Sequence, residues 1–343
     1  MTGHTGFKGS WLCVWLQKLG VNLTGFSLEP ATEPNLFEIA NVAEGMCSII
    51  GDVRDYLGLR EALENAQPEI VIHMAAQSLV RHSYKNPVNT YATNVMGTVH
   101  LLDAMRHIDG IAAAIIVTSD KCYENKESGQ DFVEGDALGG RDPYSSSKSC
   151  SELVASAYRS SFYSPKFDGN QIGIASVRAG NVIGGGDWSE DRLIPDILQS
   201  FENGVPALIR NPSSVRPWQH VLDPLAGYLC LIEQLFIRGD DFASAWNFGP
   251  LEKRSYTVEW IVDTMSNSWG EKASWKFQPC ESFEEARFLG IDSSKARRLL
   301  DWSNRWDLNS SLDATVSWHR AFLKGENMRE VMIRQIEDFT SAK

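Results

Sequence analysis

The sequence predicts an α/β protein built on a Rossmann-like, doubly wound parallel sheet, and three observations predict it. Short apolar, β-branched runs at 22–28, 69–76, 111–118 and 171–178 alternate with helix-like stretches, the pattern of parallel strands joined by crossover helices. A glycine-rich turn opens the chain. Polar residues suited to proton transfer stand just after the third of these runs, at the strand end where open α/β sheets bind ligands.

The opening segment reads Thr2-Gly3-His4-Thr5-Gly6-Phe7-Lys8-Gly9, and Phe7, Trp11, Val14, Trp15 and Leu19 continue it at helical spacing. Glycines three apart permit a tight turn, close backbone approach to a pyrophosphate and close helix packing, and the helix amino terminus favours the phosphate charge. Gly3, Thr5, Gly6, Phe7 and Lys8 are therefore candidate cofactor contacts, although a plain turn gives the same glycines. The apolar stripe is assigned to the core. Only Met1 and Thr2 precede Gly3, so the innermost strand is expected to be missing, through a misassigned start or a truncation. That predicts poorly anchored Met1 and Thr2, unpaired backbone in the sheet and weakened cofactor binding.

At the far end of the run 111–118 lies Thr118-Ser119-Asp120-Lys121, followed by Tyr144-Ser-Ser-Ser-Lys148. Tyr144 and Lys148 are four apart on a predicted helix and project from one face. An ammonium beside a tyrosine favours its phenolate, so the pair suits removal of a proton from an alcohol. Such a pair also occurs on solvated helices, and Asp120 with Lys121 is also a common surface ion pair. Found together at a strand end, they suggest an acid/base pair joined to a redox apparatus, and hence an elimination driven by transient oxidation.

The chain has 343 residues, enough for one elaborate domain or two lobes. The reading is two interleaved lobes, 1–178 binding the dinucleotide and 179–343 binding substrate, because Gly184-Gly-Gly-Asp187, Asn211-Pro-Ser-Ser214 and Asn247-Phe-Gly-Pro250 break the second half into shorter elements. A formal charge of −12 argues against nucleic acid or an anionic membrane as partner. Cysteines 13, 47, 122, 150, 230 and 280 form no Cys-x-x-Cys pair, which fits reduced thiols in a cytoplasm and implies no metal site. The apolar run 11–16 is too short for a membrane span or a signal peptide.

Taken in order, the glycine loop, Gly51-Asp52-Val53, His73-Met-Ala-Ala-Gln77, Asn94, the Ser-Asp-Lys triplet and Tyr-x-x-x-Lys resemble the extended short-chain dehydrogenase/reductase family. Within it, the segments 2–12, 118–123 and 178–188 are similar to the branch of sugar-nucleotide 4,6-dehydratases that acts on CDP-glucose; the dTDP-glucose and GDP-mannose branches carry glutamate where this chain has Lys121. The resemblance implies NAD as cofactor, CDP-glucose as substrate, a homodimer, and a place in deoxysugar biosynthesis for lipopolysaccharide O-antigen. Ser27 stands at the usual acidic position for the adenosine ribose and Glu29 two residues on, with no arginine for a 2′-phosphate, which favours NAD over NADP. The resemblance further implies adenine contacts from Asp52 and Val53, a cofactor cleft lined by Ala75, Ala76 and Gln77, and support of the active site from Asn94. It gives Ser119, Asp120, Lys121, Tyr144 and Lys148 the catalytic roles, with Lys121 either base or cationic stabiliser. Arg178, Asn181, Arg192, Arg216, His220 and Asp223 are the candidate sugar-nucleotide contacts, Arg216 foremost; each also suits a surface ion pair or hydrogen bond. A sugar-nucleotide epimerase needs the redox pair without the Asp-Lys pair, and a catalytically silent NAD-binding scaffold needs neither.

Overall fold

The computed structural model describes residues 1–164, 172–251, 256–270, 273–279 and 288–342, so Gln171 and Cys280 lie outside the described residues. Among the described residues there are ten strands: β1 (Thr24–Ser27), β2 (Cys47–Ile50), β3 (Ile70–His73), β4 (Ala113–Val117), β5 (Gly173–Ala179), β6 (Val182–Ile183), β7 (Ala207–Ile209), β8 (Gln219–His220), β9 (Ala245–Phe248) and β10 (Trp275–Phe277). β2 pairs with β1, and β3, β4, β5 and β9 follow one another, every pairing parallel.

Thr2 joins these two groups. It bridges Phe26 of β1 and His73 of β3, its amide donates to Ile72, and its carbonyl accepts from Met74. Met1 accepts from the Phe26 amide, and the Thr2 hydroxyl meets His73 Nδ1 at 2.8 Å. The expectation that Met1 and Thr2 are poorly anchored is therefore corrected: two residues suffice to pair the backbone on both sides, and Thr2 is buried. The resulting order β2-β1-Thr2-β3-β4-β5-β9 reverses direction at Thr2, so the glycine loop that follows emerges at the switch point where such sheets bind ligands.

Burial explains which runs became strands. Along β4, Ala113 and Ile115 enter one apolar layer while Ala114 and Ile116 enter the layer on the opposite face. Side chains alternate across a strand, and a sheet covered by helices on both faces needs apolar residues at every position, which is why β4 reads as a continuous run. Sequence patterning missed β2, whose residues are exposed or half-buried at the sheet edge, and β9, which lies partly inside the expected break at 247–250. β9 pairs with β5, and helix Leu222–Arg238 packs Leu222, Leu225, Tyr228 and Leu231 into the same layer as Ala113. The sheet and its cover thus draw on chain from both sides of residue 178. A separate apolar cluster, including Ile194, Ile197, Phe201, Val258, Ile261 and Leu312, supports the second half, where β6 pairs with β8 and β7 with β10.

Candidate active site

Helix Pro143–Phe162 places the first catalytic candidates. Asp142 caps it by accepting from the Ser145 amide at 2.9 Å, and Pro143 fits the first turn because no amide is needed there. Its serines are weak helix formers, yet they serve packing. Ser149 donates to Cys122 and Ser151 to Asn94, drawing the helix against the strand-end turn and a neighbouring π-helical segment, Ala92–Met96. The Tyr144 amide donates to Ser83 Oγ at 3.1 Å, fixing the helix start.

Ser119 leaves β4 and caps a short 3₁₀ turn, Asp120–Cys122, accepting from the Lys121 amide at 3.2 Å. Its hydroxyl donates to Asp120 Oδ1 at 3.0 Å and also hydrogen-bonds the Tyr144 phenol. Asp120 is buried, and its Oδ2 has no hydrogen-bond partner among the described atoms. Burial raises its pKa against the opposing effects of Lys121, the Ser119 bond and Arg216, so the carboxyl favours the protonated form a general acid needs.

The redox pair differs from expectation. Burial pushes Tyr144 up to about 12, with the Ser119 bond opposing, rather than Lys148 drawing it down. Lys148 is itself lowered to about 8 by burial, and its Nζ donates to the Val117 carbonyl at 3.1 Å. Desolvation dominates at both groups, against the Ser119 bond and the Arg192 charge at Tyr144 and the Glu152 charge at Lys148.

The glycine loop fits a dinucleotide. Gly3 has φ +76°, and a Cβ there would lie 2.6 Å from the Ala75 amide nitrogen; a Cβ on Gly9 would lie 2.1 Å from the Gly3 carbonyl oxygen. Only glycine allows β3, the loop and helix Phe7–Lys18 to approach this closely. Gly6 caps that helix without any side-chain bond, which leaves the first-turn amides for an anion. Thr5 is spent differently, bonding Ser27 Oγ at 2.9 Å and the Leu28 carbonyl at 2.8 Å, so it braces the end of β1. Lys8 turns toward Tyr228, its Nζ donating to the hydroxyl at 3.1 Å. Glu29 is exposed just past β1.

Asp52 pairs with Arg54 just beyond β2, which holds its carboxyl below the usual range. Val53 is buried against Gly97, and its carbonyl meets His100 Nδ1. Ala75 and Met74 donate to the Thr2 hydroxyl, and the Gln77 amide donates to Asn94 Oδ1 at 2.8 Å. Asn94 in turn donates to the Gln77 carbonyl at 2.9 Å and to Ser147 Oγ at 2.8 Å. Its amide clamps the β3 loop onto the helix of Tyr144.

The second-half candidates divide. Arg192 joins Asp187 at 3.1 Å and Ser78 at 3.1 Å, and its charge reaches both Tyr144 and Lys8. Arg216 bears on Asp120, and Asn181 is half-buried with its carbonyl bonded to the Gln219 amide. Three candidates are engaged inside the protein. Arg178 is buried in an ion pair with Glu152 at 2.7 Å and donates to the Tyr123 hydroxyl at 2.8 Å, so its guanidinium is used inside the core. His220 is fully buried between Trp11 and Trp306, and burial lowers it to about 3. Asp223 accepts from the Arg305 amide at 2.8 Å and locks helix Leu222–Arg238 to the chain after it, with burial raising it to about 7.

Sequence reasoning missed Glu152, Tyr123 and Asn247, a buried polar chain in which Tyr123 donates to Asn247 Oδ1 at 2.7 Å. Glu152 carried a usable signal, since it stands four residues past Lys148 on the same helix face. Among the described residues there is no group of three metal-ligating side chains, and no helix is long and apolar enough to cross a membrane.

Known proteins share both the sequence and the fold. The chain is 51% identical to CDP-glucose 4,6-dehydratase of Salmonella typhimurium over 343 residues, all of this chain and 96% of that one. It is 30% identical to dTDP-glucose 4,6-dehydratase of Streptomyces griseus over 274 residues, 78% of this chain and 76% of that one. UDP-glucose 4-epimerase of Thermotoga maritima, solved with UDP-glucose, superposes with a TM-score of 0.82 at 20% identity, covering 94% of this chain and 98% of the epimerase. The Thermus thermophilus UDP-glucose 4-epimerase, solved with NAD, gives 0.80 at 22% identity, covering 93% and 97%. These two likenesses show the fold. With residues 1–315 matching the family described as GDP-mannose 4,6 dehydratase, the chain belongs to that family of sugar-nucleotide dehydratases.

Proposed function

We infer that this chain is an NAD-dependent enzyme that converts CDP-glucose to CDP-4-dehydro-6-deoxyglucose and water. The observation that carries this reading is the meeting of a Ser119–Tyr144 redox site with a buried Asp120 whose pKa burial raises, in a chain half identical over its full length to a CDP-glucose 4,6-dehydratase. When bound at the glycine loop, NAD would supply the hydride acceptor for oxidation at C4 and the donor for reduction at C6, and its oxidised ring would bring positive charge. Tyr144 removes the proton of the 4-hydroxyl, assisted by Ser119 and Lys148. The C4 ketone acidifies C5, and loss of the C5 proton expels the 6-hydroxyl. Asp120 protonates that leaving group so that it departs as water. Lys121, next to it, serves as the C5 base or as the cation facing the enolate.

The same reading assigns the cofactor pyrophosphate to the amides after Gly3 and Gly6, at Phe7 and Lys8. The adenosine falls to Glu29, Asp52 and Val53, and the cleft wall to Ala75, Ala76 and Gln77. Arg192 and Arg216 hold the substrate diphosphate, with Asn181 beside them, because guanidinium groups pair two-pronged with phosphate oxygens and both charges act on the catalytic groups. Substrate deuterated at C4 is expected to give product deuterated at C6 with no net reduction of NAD. One equivalent of NADH per product contradicts the reading.

The chain is further read as a cytoplasmic homodimer supplying an activated deoxysugar for O-antigen. The five described cysteines are all unpaired, which suits a reducing compartment. Leu153 on helix Pro143–Phe162 and Val88, Tyr91 and Met96 on the segments packed against it are exposed apolar residues, a surface that a second copy would cover. Light scattering at micromolar concentration is expected to give twice the chain mass; monomer alone contradicts the dimer.

A further inference from the structure

We propose that Glu152, which touches no ligand in the scheme above, is a positioning residue for the redox site: it keeps the buried Lys148 charged and fixes where Ser119 and Asp120 leave β4. The proposal rests on the reading of Tyr144 and Lys148 given above. Tyr144, Lys148 and Glu152 succeed one another at four-residue spacing on one helix, so all three face the end of β4. Two of them grip consecutive residues there. Lys148 Nζ donates to the Val117 carbonyl, and the Thr118 hydroxyl donates to Glu152 Oε1. Ser119 and Asp120 are the next two residues, so their departure from the strand is set by this double hold.

Glu152 is itself over-determined. Oε2 accepts from Ser176 at 2.6 Å and from Arg178 at 2.7 Å, both on β5, so one carboxylate ties the helix to two adjacent strands. Burial pushes its pKa up, but the bond and charge of Arg178, with the bonds from Ser176 and Thr118, outweigh it and keep the carboxylate ionised. An ionised group on the same helix face is a counter-charge for Lys148. The other groups that bear on this ammonium are His73 from β3, Lys8 from helix Phe7–Lys18, and Cys122 from the strand-end turn. Lys8, when charged, opposes protonation of Lys148; the Cys122 thiol is held neutral by burial, and so is the His73 imidazole. Glu152 is thus the ionised acid that offsets the desolvation lowering Lys148.

The test compares the pH profile of kcat in the parent with those of Glu152→Gln and Glu152→Gln/Arg178→Gln. In the parent, the charged form of Lys148 is present below its pKa near 8 and lost above it, so it contributes an alkaline limb there. Both variants are expected to show this limb displaced to lower pH by about one unit or more, the scale of removing an opposite charge. The double variant removes both members of the buried pair, so its fold is spared a lone buried guanidinium while Lys148 still lacks its counter-charge. A purely structural Glu152 predicts lower melting temperature and a uniform loss of rate with the limb unmoved. A double variant with the parental limb, or one that fails to fold, overturns the proposal. An inactive parent would instead overturn the functional reading itself.

Discussion

Tyr144→Phe is expected to lower turnover by about 10²–10⁴-fold, the range for loss of a group that moves a proton in the rate-limiting region. The ring sits in a buried site whose shape phenylalanine preserves, and the only atom removed is the hydroxyl that meets Ser119. Losing one such hydrogen bond costs about 1 kcal/mol of stability, too little to unfold a domain of this size. The loss should therefore fall on chemistry. Single-turnover absorbance of the reduced nicotinamide should show that oxidation at C4 is the step that fails. Parental turnover in this variant would remove Tyr144 from the proton-abstracting role.

Asp120→Asn should act later, sparing oxidation at C4 and slowing elimination by about 10²-fold or more. Asparagine has nearly the same shape, and its carbonyl oxygen still accepts from the Ser119 hydroxyl as Oδ1 does now. It cannot give up a proton to a leaving hydroxide. Reduced cofactor should therefore accumulate on the enzyme, where the parent passes it on. The sign with pH follows from the raised pKa of Asp120: activity needing the protonated acid is present below that pKa and is lost as pH rises through it, and the variant lacks this limb. A variant that turns over like the parent, with the same pH profile, would assign the acid elsewhere.

Both predictions concern residues the sequence exposed on its own, and the reason is locality. The four-residue spacing of Tyr144 and Lys148 and the position of Ser119 and Asp120 at the end of an apolar run are properties of neighbouring residues, and a helix or strand turns them directly into geometry. The central strands were legible for the same cause, since burial on both faces demands unbroken apolar runs. β2 and β9 were not, because an edge strand needs no such run and a short strand ending at Gly249-Pro250 looks like a turn.

Residue type fixed only what each side chain was able to do; the tertiary structure decided where it was spent. Arg178 has the chemistry to hold a phosphate, but its partner Glu152 lies 26 residues away in sequence and meets it only when β5 packs beneath the helix. His220 and Asp223 were enclosed by Trp11, Trp306 and the Arg305 amide, contacts that form only when distant segments of the chain close over them. Lys148 was expected to draw Tyr144 down, yet the depth of the pocket, which no spacing encodes, let desolvation raise the phenol and lower the ammonium. Met1 and Thr2, too few to read as a strand, became the centre of the sheet because β1 and β3 supplied backbone partners on both sides. Local pattern determined the central elements and exposed the candidate catalytic set, whereas burial and long-range pairing, which depend on the whole packed chain, decided where each polar group is engaged.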